Sequence, residues 1–570
     1  MIDRKAVLHI PMSNMAYALD ENTLSFTIRV AKNNIDKCVL WYGDTACRKP
    51  HVDFFPVKMQ KVASDSQFDY FNATYKSKFH RVCYYFQLVN EGETKLYYGD
   101  LYYDEEVTDR SEYYKLPFAR REDVATVPHW LSDAVVYNIF PDSFASYKEG
   151  ISLHGSKIEE NGMLSKGMLG GNLRGVFENL DYIQSMGFNT IYLNPIFRAG
   201  EYHKYDLLDY YSVDPVFGTN QQFKQLVEAC HGRGMKIIID GVFNHCGWHF
   251  FAFEDVLKNG RKSRYWNWFY RLEDPVTVCQ NSDDYPTYEC FAYERMMPKL
   301  NTSNLEVEQY FIDVGKFWVQ NFDIDGWRLD VADEVNDRFW RRFREEVKSV
   351  KQDVVIIGEV WQTASHWLDG SMFDSAMNYD FRKHAKRYFS EKMSSAQFNE
   401  GVVNMLMRYR RPIRNAQLNL LDSHDVPRFR SYCDNEDVYR MAVAFQMMFC
   451  GVPSVFYGDE QGFVGMTEAQ YRQPMKFDNH PLVDFFRSII AIRKQYISAI
   501  QGKFVTEHVE KDGGLYIFSL TDGNRQLRCV FNTGCEVAVD ADLQKGEILM
   551  SNNFKNGIAS SNSFAIILVK

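Results

Sequence analysis

The chain has 570 residues, 45% hydrophobic and 25% charged, with a formal net charge of −10 at pH 7. That length exceeds what one core serves and predicts two to four domains. The acidic balance argues against a nucleic-acid partner, which needs a basic footprint, and against docking to an anionic membrane.

Residues 1–122 open the chain with short runs rich in aromatic and β-branched side chains: "LSFTIRVA" (24–31), "KCVLWYG" (37–43), "FDYFNATYK" (68–76) and "VCYYFQLVN" (82–90). Turn signals such as "AKNNID" and "NEGET" separate them, which predicts an all-β sandwich. The charged segment "KLPFARREDVATVPHW" (115–130) reads as a linker. Over residues 123–500 strand-like runs alternate with helical ones. The strand candidates are "AVVYNIF" (134–140), "FNTIYLN" (188–194), "MKIIID" (235–240), "DIDGWRLD" (323–330), "VVIIGEV" (354–360), "MFDSAMN" (372–378), "QLNLLDS" (417–423) and "PSVFYGD" (453–459). Eight such units predict an α/β fold, a (β/α)8 barrel. Residues 246–301, rich in Trp, Tyr, Phe and Asp, are far longer than a plain βα loop of ~2–6 residues and predict an inserted subdomain after the third strand. Residues 501–570 return to short strands and predict a C-terminal β-domain.

The 11 cysteines are odd in number and form no C-x-x-C pair, so free thiols in a reducing cytoplasm are expected. "MIDRKAVLHIPMSN" lacks the apolar core of a signal peptide. No apolar run is long enough to span a bilayer.

Function in a barrel sits at the C-terminal strand ends. Strand 3 ends in Asp240, followed by Asn244 and His245; strand 4 in Arg328 and Asp330; strand 5 in Glu359; strand 7 in Ser423, His424 and Asp425. Arg328 and Asp330 lie two residues apart and therefore share one side of a strand. Three carboxylates, two histidines and an arginine, without a Cys–His cluster or a phosphate loop, point to polyol recognition with carboxylate chemistry. Glycoside hydrolysis needs one ionised and one protonated carboxyl. On that reading Arg328 keeps Asp330 anionic, and partial burial beside Trp361 keeps Glu359 protonated.

These stretches resemble the α-amylase family of retaining glycoside hydrolases: "DGVFNH" (240–245), "GWRLDVADE" (326–334), "GEVW" (358–361) and "LLDSHD" (420–425) match its four short regions in order. "MPKLNTSN" (297–304) and "LHIPMSNMAYALDENTLSFTIRV" followed by "LWYGD" are similar to its cyclomaltodextrinase, neopullulanase and maltogenic amylase branch. The resemblance implies Asp330 as nucleophile, Glu359 as general acid/base and Asp425 as transition-state stabiliser. It implies sugar contacts for Tyr205, His245, Arg328, His424 and Arg472, and places Glu334 on the leaving-group side. Asp240 and Asn244 would support the geometry.

Three positions depart from the branch: Asp333 in "VADE", Gln362 in "GEVWQ" and Asn138 in "YNIFPDSF". Relatives often bind calcium after the first strand. Here that loop reads "ASYKEGISLHG" and the later motif "GGNL" (170–173), so no metal and no cofactor is expected there. The implied activity is hydrolysis of α-1,4-glucosidic bonds in small maltooligosaccharides and cyclodextrins, with pullulan and glycosyl transfer as further candidates. A glucanotransferase or α-glucosidase, or a non-catalytic carbohydrate- or partner-binding relative, are the alternatives. The aromatic excess of residues 1–122, including Tyr17, Trp41 and Tyr42, together with the resemblance, predicts a homodimer in which each N-terminal domain walls its partner's cleft.

Overall fold

In the computed structural model, which describes residues 1–148, 150–151, 169–277 and 285–569, all eight predicted barrel strands form and close in sequence order. They are Val136–Ile139, Thr190–Leu193, Lys236–Gly241, Gly326–Leu329, Val355–Gly358, Ser375–Asn378, Leu418–Leu420 and Val452–Phe456. Every barrel pairing is parallel. Both strand faces are buried, so the period of two sorts residues between two cores. Ile237, Ile239 and Trp327 face outward into the layer shared with the helices. Val136, Tyr192, Ile238 and Ile357 pack inside the barrel. Counting on by two from these inward residues brings Asn138, Asn194, Asp240 and Glu359 to the inner mouth. Arg328, opposite Asp240 in the register, joins them.

The outer helices follow from local chemistry. Asn220–Gly232 starts at a reciprocal Thr219–Gln222 capping box and buries Phe223, Leu226, Val227 and Cys230, the i, i+3, i+4, i+7 stripe of a helix on a sheet. Leu305–Phe322 is capped by the Asn304 side chain and stopped by Asp323 in a left-handed conformation. Losing such an N-cap costs about 1 kcal/mol.

Before the barrel, a four-stranded and a six-stranded antiparallel sheet face each other across a core that includes Leu24, Phe26, Ile28, Tyr84 and Phe86. Tyr17 and Tyr42 are buried. Tyr17 is used within its own chain, since its hydroxyl accepts the Arg411 N–H at 3.0 Å. After the barrel, a six-stranded antiparallel sheet begins with Lys503–Val509 and ends with Ile558–Val569. All ten cysteines among the described residues are free. No helix among those residues is long and apolar enough to cross a membrane.

Two excursions build the rim above the barrel mouth. A hairpin of Phe197–Ala199 and Leu207–Val213 follows the second strand. The buried Lys204–Asp214 ion pair, 2.9 Å long, pins it. The inserted segment contains the helix Phe251–Asn259 and the hairpin Cys290–Phe291 with Glu294–Pro298. It is tied back to the third strand's exit by Cys246 N–H to the Pro298 carbonyl at 3.1 Å and Leu300 N–H to the Asn244 carbonyl at 3.0 Å. The loop read as unable to hold calcium falls partly outside the described residues, at 149 and 152–155.

Candidate active site

Arg328 organises the mouth. Its side chain is 0% exposed. Nη1 donates to both Asp240 carboxylate oxygens at 3.0 Å and to Asp330 Oδ1 at 2.8 Å. Nη2 lies 2.6 Å from Glu359 Oε1 and 3.9 Å from Asp425 Oδ2. One guanidinium thus touches the ends of strands 3, 4 and 5 and reaches toward strand 7. Burial works against its charge, but Asp240 and Glu359 outweigh that and hold it firmly protonated.

The parallel ladder delivers the two central carboxyls to this point. Asp330 N–H donates to the Gly241 carbonyl, and Glu359 N–H to the Leu329 carbonyl, each at 2.9 Å. Val331, the residue after Asp330, sits at φ +44°, a costly conformation for a β-branched residue. That turn aims the Val331 N–H at Glu359 Oε2, 3.0 Å away. Glu359 Oε1 also accepts from Trp361 Nε1 at 3.2 Å and from the Tyr379 hydroxyl at 3.3 Å. Trp361 stacks on Tyr379, with ring centroids 4.1 Å apart and planes 10° from parallel. It is 51% exposed, a flat apolar face at the rim of the kind a sugar ring stacks on.

The carboxyls differ in charge tendency. Burial first, and then the Glu359 charge, push the Asp330 carboxyl well above the usual carboxylate range against the pull of Arg328. The expectation that Arg328 keeps Asp330 anionic therefore does not hold in the ligand-free site. The guanidinium is shared among several acids, and desolvation outweighs its share at Asp330. Asp425 goes the other way. Against the cost of burial, His424, Arg328 and Arg472 hold it well below that range. His424 Nε2 is 2.8 Å from Asp425 Oδ2, and Arg472 Nη2 is 3.5 Å from Oδ1. Asp425 N–H donates to Ser423 Oγ at 3.2 Å.

The remaining predicted residues gather around this centre. Tyr205 donates its hydroxyl to Asp240 Oδ2 at 3.1 Å and lies parallel to the His424 ring at 5.6 Å. His245 stacks on Phe291 at 4.8 Å and contacts the Tyr205 carbonyl through Nε2 at 3.1 Å. Burial pushes His245 down to about 3, so it is neutral. Arg472 bonds the His424 carbonyl at 2.8 Å, the Tyr202 hydroxyl at 3.0 Å and Glu468 at 2.7 Å. Asp240, fully buried and accepting from Tyr192 at 2.6 Å, anchors Arg328 from below. Asn244 and Glu334 stand farther out, joined by Lys299: its ammonium donates to Asn244 Oδ1 at 2.8 Å and pairs with Glu334. Among the described residues no group of His, Cys, Asp or Glu is arranged to hold a metal ion. Of the departures, Asn138 is buried and donates to Asn194 Oδ1 at 3.1 Å.

Residues not found from sequence also shape the site: Tyr192, Asn194, Tyr379, Lys299 and the Val331 backbone. Asn194 donates to His424 Nδ1 at 2.9 Å. Tyr192 and Asn194 carry the inward parity of the second strand, a signal present in "IYLN". Nothing local in "DVADE" announces the left-handed turn at Val331.

The comparisons agree with this architecture. Residues 138–495 match the family model of the α-amylase catalytic domain, and residues 1–120 that of the α-amylase N-terminal Ig-like domain. A cyclomaltodextrinase of Geobacillus thermopakistaniensis (strain MAS1) is 38% identical over 544 residues, covering 94% of this chain and 92% of that protein. Neopullulanase 2 of Thermoactinomyces vulgaris is 37% identical over 537 residues, covering 93% and 91%. A solved cyclomaltodextrinase structure superposes with a TM-score of 0.89 at 32% identity, covering 100% of both chains. A carboxylate-lined barrel mouth, a catalytic-domain match over more than half the chain and near-full-length relatives converge: the chain belongs to the α-amylase family, as a glycoside hydrolase of the cyclomaltodextrinase, neopullulanase and maltogenic amylase type.

Proposed function

We propose that the chain hydrolyses α-1,4-glucosidic bonds in small maltooligosaccharides and cyclodextrins with retention of configuration, acting also on pullulan and by glycosyl transfer. The observation that carries this reading is the Arg328 guanidinium, in contact with both Asp330 and Glu359. One planar group touching both carboxyls favours the ~5–5.5 Å separation of a retaining pair over the wider inverting one.

Asp330 is the nucleophile and Glu359 the acid/base. In the ligand-free site burial and then the Glu359 charge favour proton uptake at Asp330. Substrate binding settles that proton on Glu359, beside the leaving oxygen, and frees Asp330 to attack the anomeric carbon. The glycosyl–Asp330 ester then hydrolyses as Glu359 takes a proton from water. Asp425, ionised and facing the cleft, stabilises the positive charge developing on the sugar ring. Arg328, Tyr205, His245 and His424 hold the ring at the cleavage point, Arg472 binds the next sugar out on the non-reducing side, and Glu334 lies beyond on the leaving-group side. Asp240 and Asn244 keep Arg328 and Lys299 in place. The chemistry runs without a metal or cofactor.

The names of the relatives support cyclodextrin and pullulan as substrates, and the free thiols support a cytoplasmic setting. A homodimer remains part of this reading on family resemblance. The test is proton NMR of the first products from maltotriose and β-cyclodextrin. The α-anomer should form first. Initial formation of the β-anomer, or no turnover of either substrate, refutes the assignment.

A further inference from the structure

A cavity of about 560 Å³ lies away from the barrel mouth, at the seam between the N-terminal sheets, the helix Ser395–Arg408 with the turn after it, and the first strand of the C-terminal sheet. Its lining carries six cationic side chains, Arg29, Lys58, Arg408, Arg411, Arg414 and Lys503, and no aspartate or glutamate. In a chain of net charge −10 this segregation runs against the overall balance. Arg408 is paired with Asp380. The other five form no ion pair among the described residues. Arg29 Cζ lies 4.0 Å from the centre of the Phe68 ring, and the buried Arg29 Nε has no hydrogen-bond partner. Partial burial, and then the Arg414 charge, push the Arg411 guanidinium below its ordinary value. Like charges gathered in a partly desolvated space repel unless an anion joins them.

The rest of the lining has a different character. Tyr17, Tyr70 and Tyr409 contribute aromatic surface, and Asn14, Asn72 and Asn404 contribute amides. The volume falls within the ~300–1,000 Å³ of small-molecule sites, well beyond one inorganic anion. Guanidinium forks suit phosphate oxygens; aromatic faces and amides suit a polyol. We propose that this seam cavity binds a phosphate monoester of a small polyol, the chemical class of the sugar phosphates. The ligand bridges the N-terminal sheets, the C-terminal sheet and the barrel, so its occupancy stabilises their docking by mass action.

The test is calorimetric titration of the full-length protein with glucose 6-phosphate, inorganic phosphate and glucose. Glucose 6-phosphate should bind, more tightly than inorganic phosphate. The Arg29→Gln/Arg411→Gln variant should weaken it roughly tenfold or more while maltotriose turnover stays at the wild-type level. Lys503→Gln, on the rim, gives a second variant should the first fold poorly, and should weaken binding less. Absence of glucose 6-phosphate binding at millimolar concentration, or binding indifferent to these substitutions, overturns the proposal. Equal affinity for inorganic phosphate overturns its polyol part, and glucose binding lost in the same variants overturns its phosphate part.

Discussion

Two buried arginines in this barrel, Arg328 and Arg428, are built from the same parts and read differently. Each guanidinium is 0% exposed. Arg428 Nη1 donates to Asp459 Oδ1 at 3.0 Å, with Asp422 as a further nearby acid. Phe456, Tyr457 and Phe463 cover its faces, Phe456 at 4.0 Å. Burial first, then Asp422, push Asp459 well above the carboxylate range, as burial and Glu359 do to Asp330. The difference is access. Asp459 and Asp422 are closed in, whereas Asp425 is 27% exposed on its side chain and Trp361 opens the Arg328 cluster to solvent. A perturbed acid beside an arginine is therefore no sign of chemistry by itself; an open face with convergent polar groups is.

Substitutions should separate the two clusters most sharply. Asp330→Asn should lower turnover roughly 10⁴-fold or more, with unfolding stability unchanged or raised, because a neutral amide relieves a desolvated acid. Arg428→Met should do the reverse. Removing one partner of a buried ion pair costs about 3–5 kcal/mol, while turnover per folded molecule stays within about twofold, since the residue touches none of the carboxyls of the Arg328 cluster. Maltotriose kinetics alongside thermal and denaturant unfolding check both. Activity lost in Arg428→Met at a temperature where it is folded breaks the distinction.

Acids that differ in their cations sharpen it through pH. Asp142 is buried and, among the described residues, accepts only backbone N–H bonds, from Leu169 and Gly170. Burial pushes it from 3.8 up to about 6. Its folded value lies above the unfolded one. The stability it contributes is therefore fully present below pH 3.8 and is lost as pH rises through about 6. Asp142→Asn should remove that slope, worth about 3 kcal/mol across the window. Asp425, held low by His424, Arg328 and Arg472, has the opposite sign: its contribution is present above the unfolded value and lost as pH falls through the lower folded one. Asp425→Asn should flatten the acid limb of the stability profile. Unfolding free energies between pH 3 and 8 decide both.

The smallest effect is expected outside the cluster. Lys299 joins Asn244 to the half-exposed Glu334. Lys299→Met should change kcat little and raise KM roughly threefold to tenfold, as fits an exposed ion pair worth about 1 kcal/mol or less beside a binding subsite. A collapse of kcat shows that the ammonium serves the chemistry.

Much of this was legible in the sequence because the period of two survives in a parallel barrel. All eight strands fall on the runs that announce them, extending at most one residue beyond either end. Asp240, Arg328, Glu359 and His424 stand where strand parity and chain order put them. The reading failed where contacts are non-local or depend on burial. The rim hairpin Phe197–Val213 sets buried positions among half-buried and exposed ones of mixed polarity, so no apolar run announces it. The tie between Arg428 in "DVPRFR" and Asp459 in "YGDE" joins strand ends whose sequence shows no shared pattern. The charge tendency of Asp330 needed the number of acids sharing Arg328, which only the closed barrel supplies.

The most direct test of the central claim, that the open Arg328 cluster carries a nucleophile at Asp330, is intact-protein mass spectrometry. The Glu359→Gln variant is incubated with α-maltosyl fluoride, whose leaving group needs no acid. The account predicts a stable maltosyl adduct that peptide mapping places on Asp330. An adduct on another residue, or fluoride release by the variant with no adduct and with β-maltose as the first product, contradicts it.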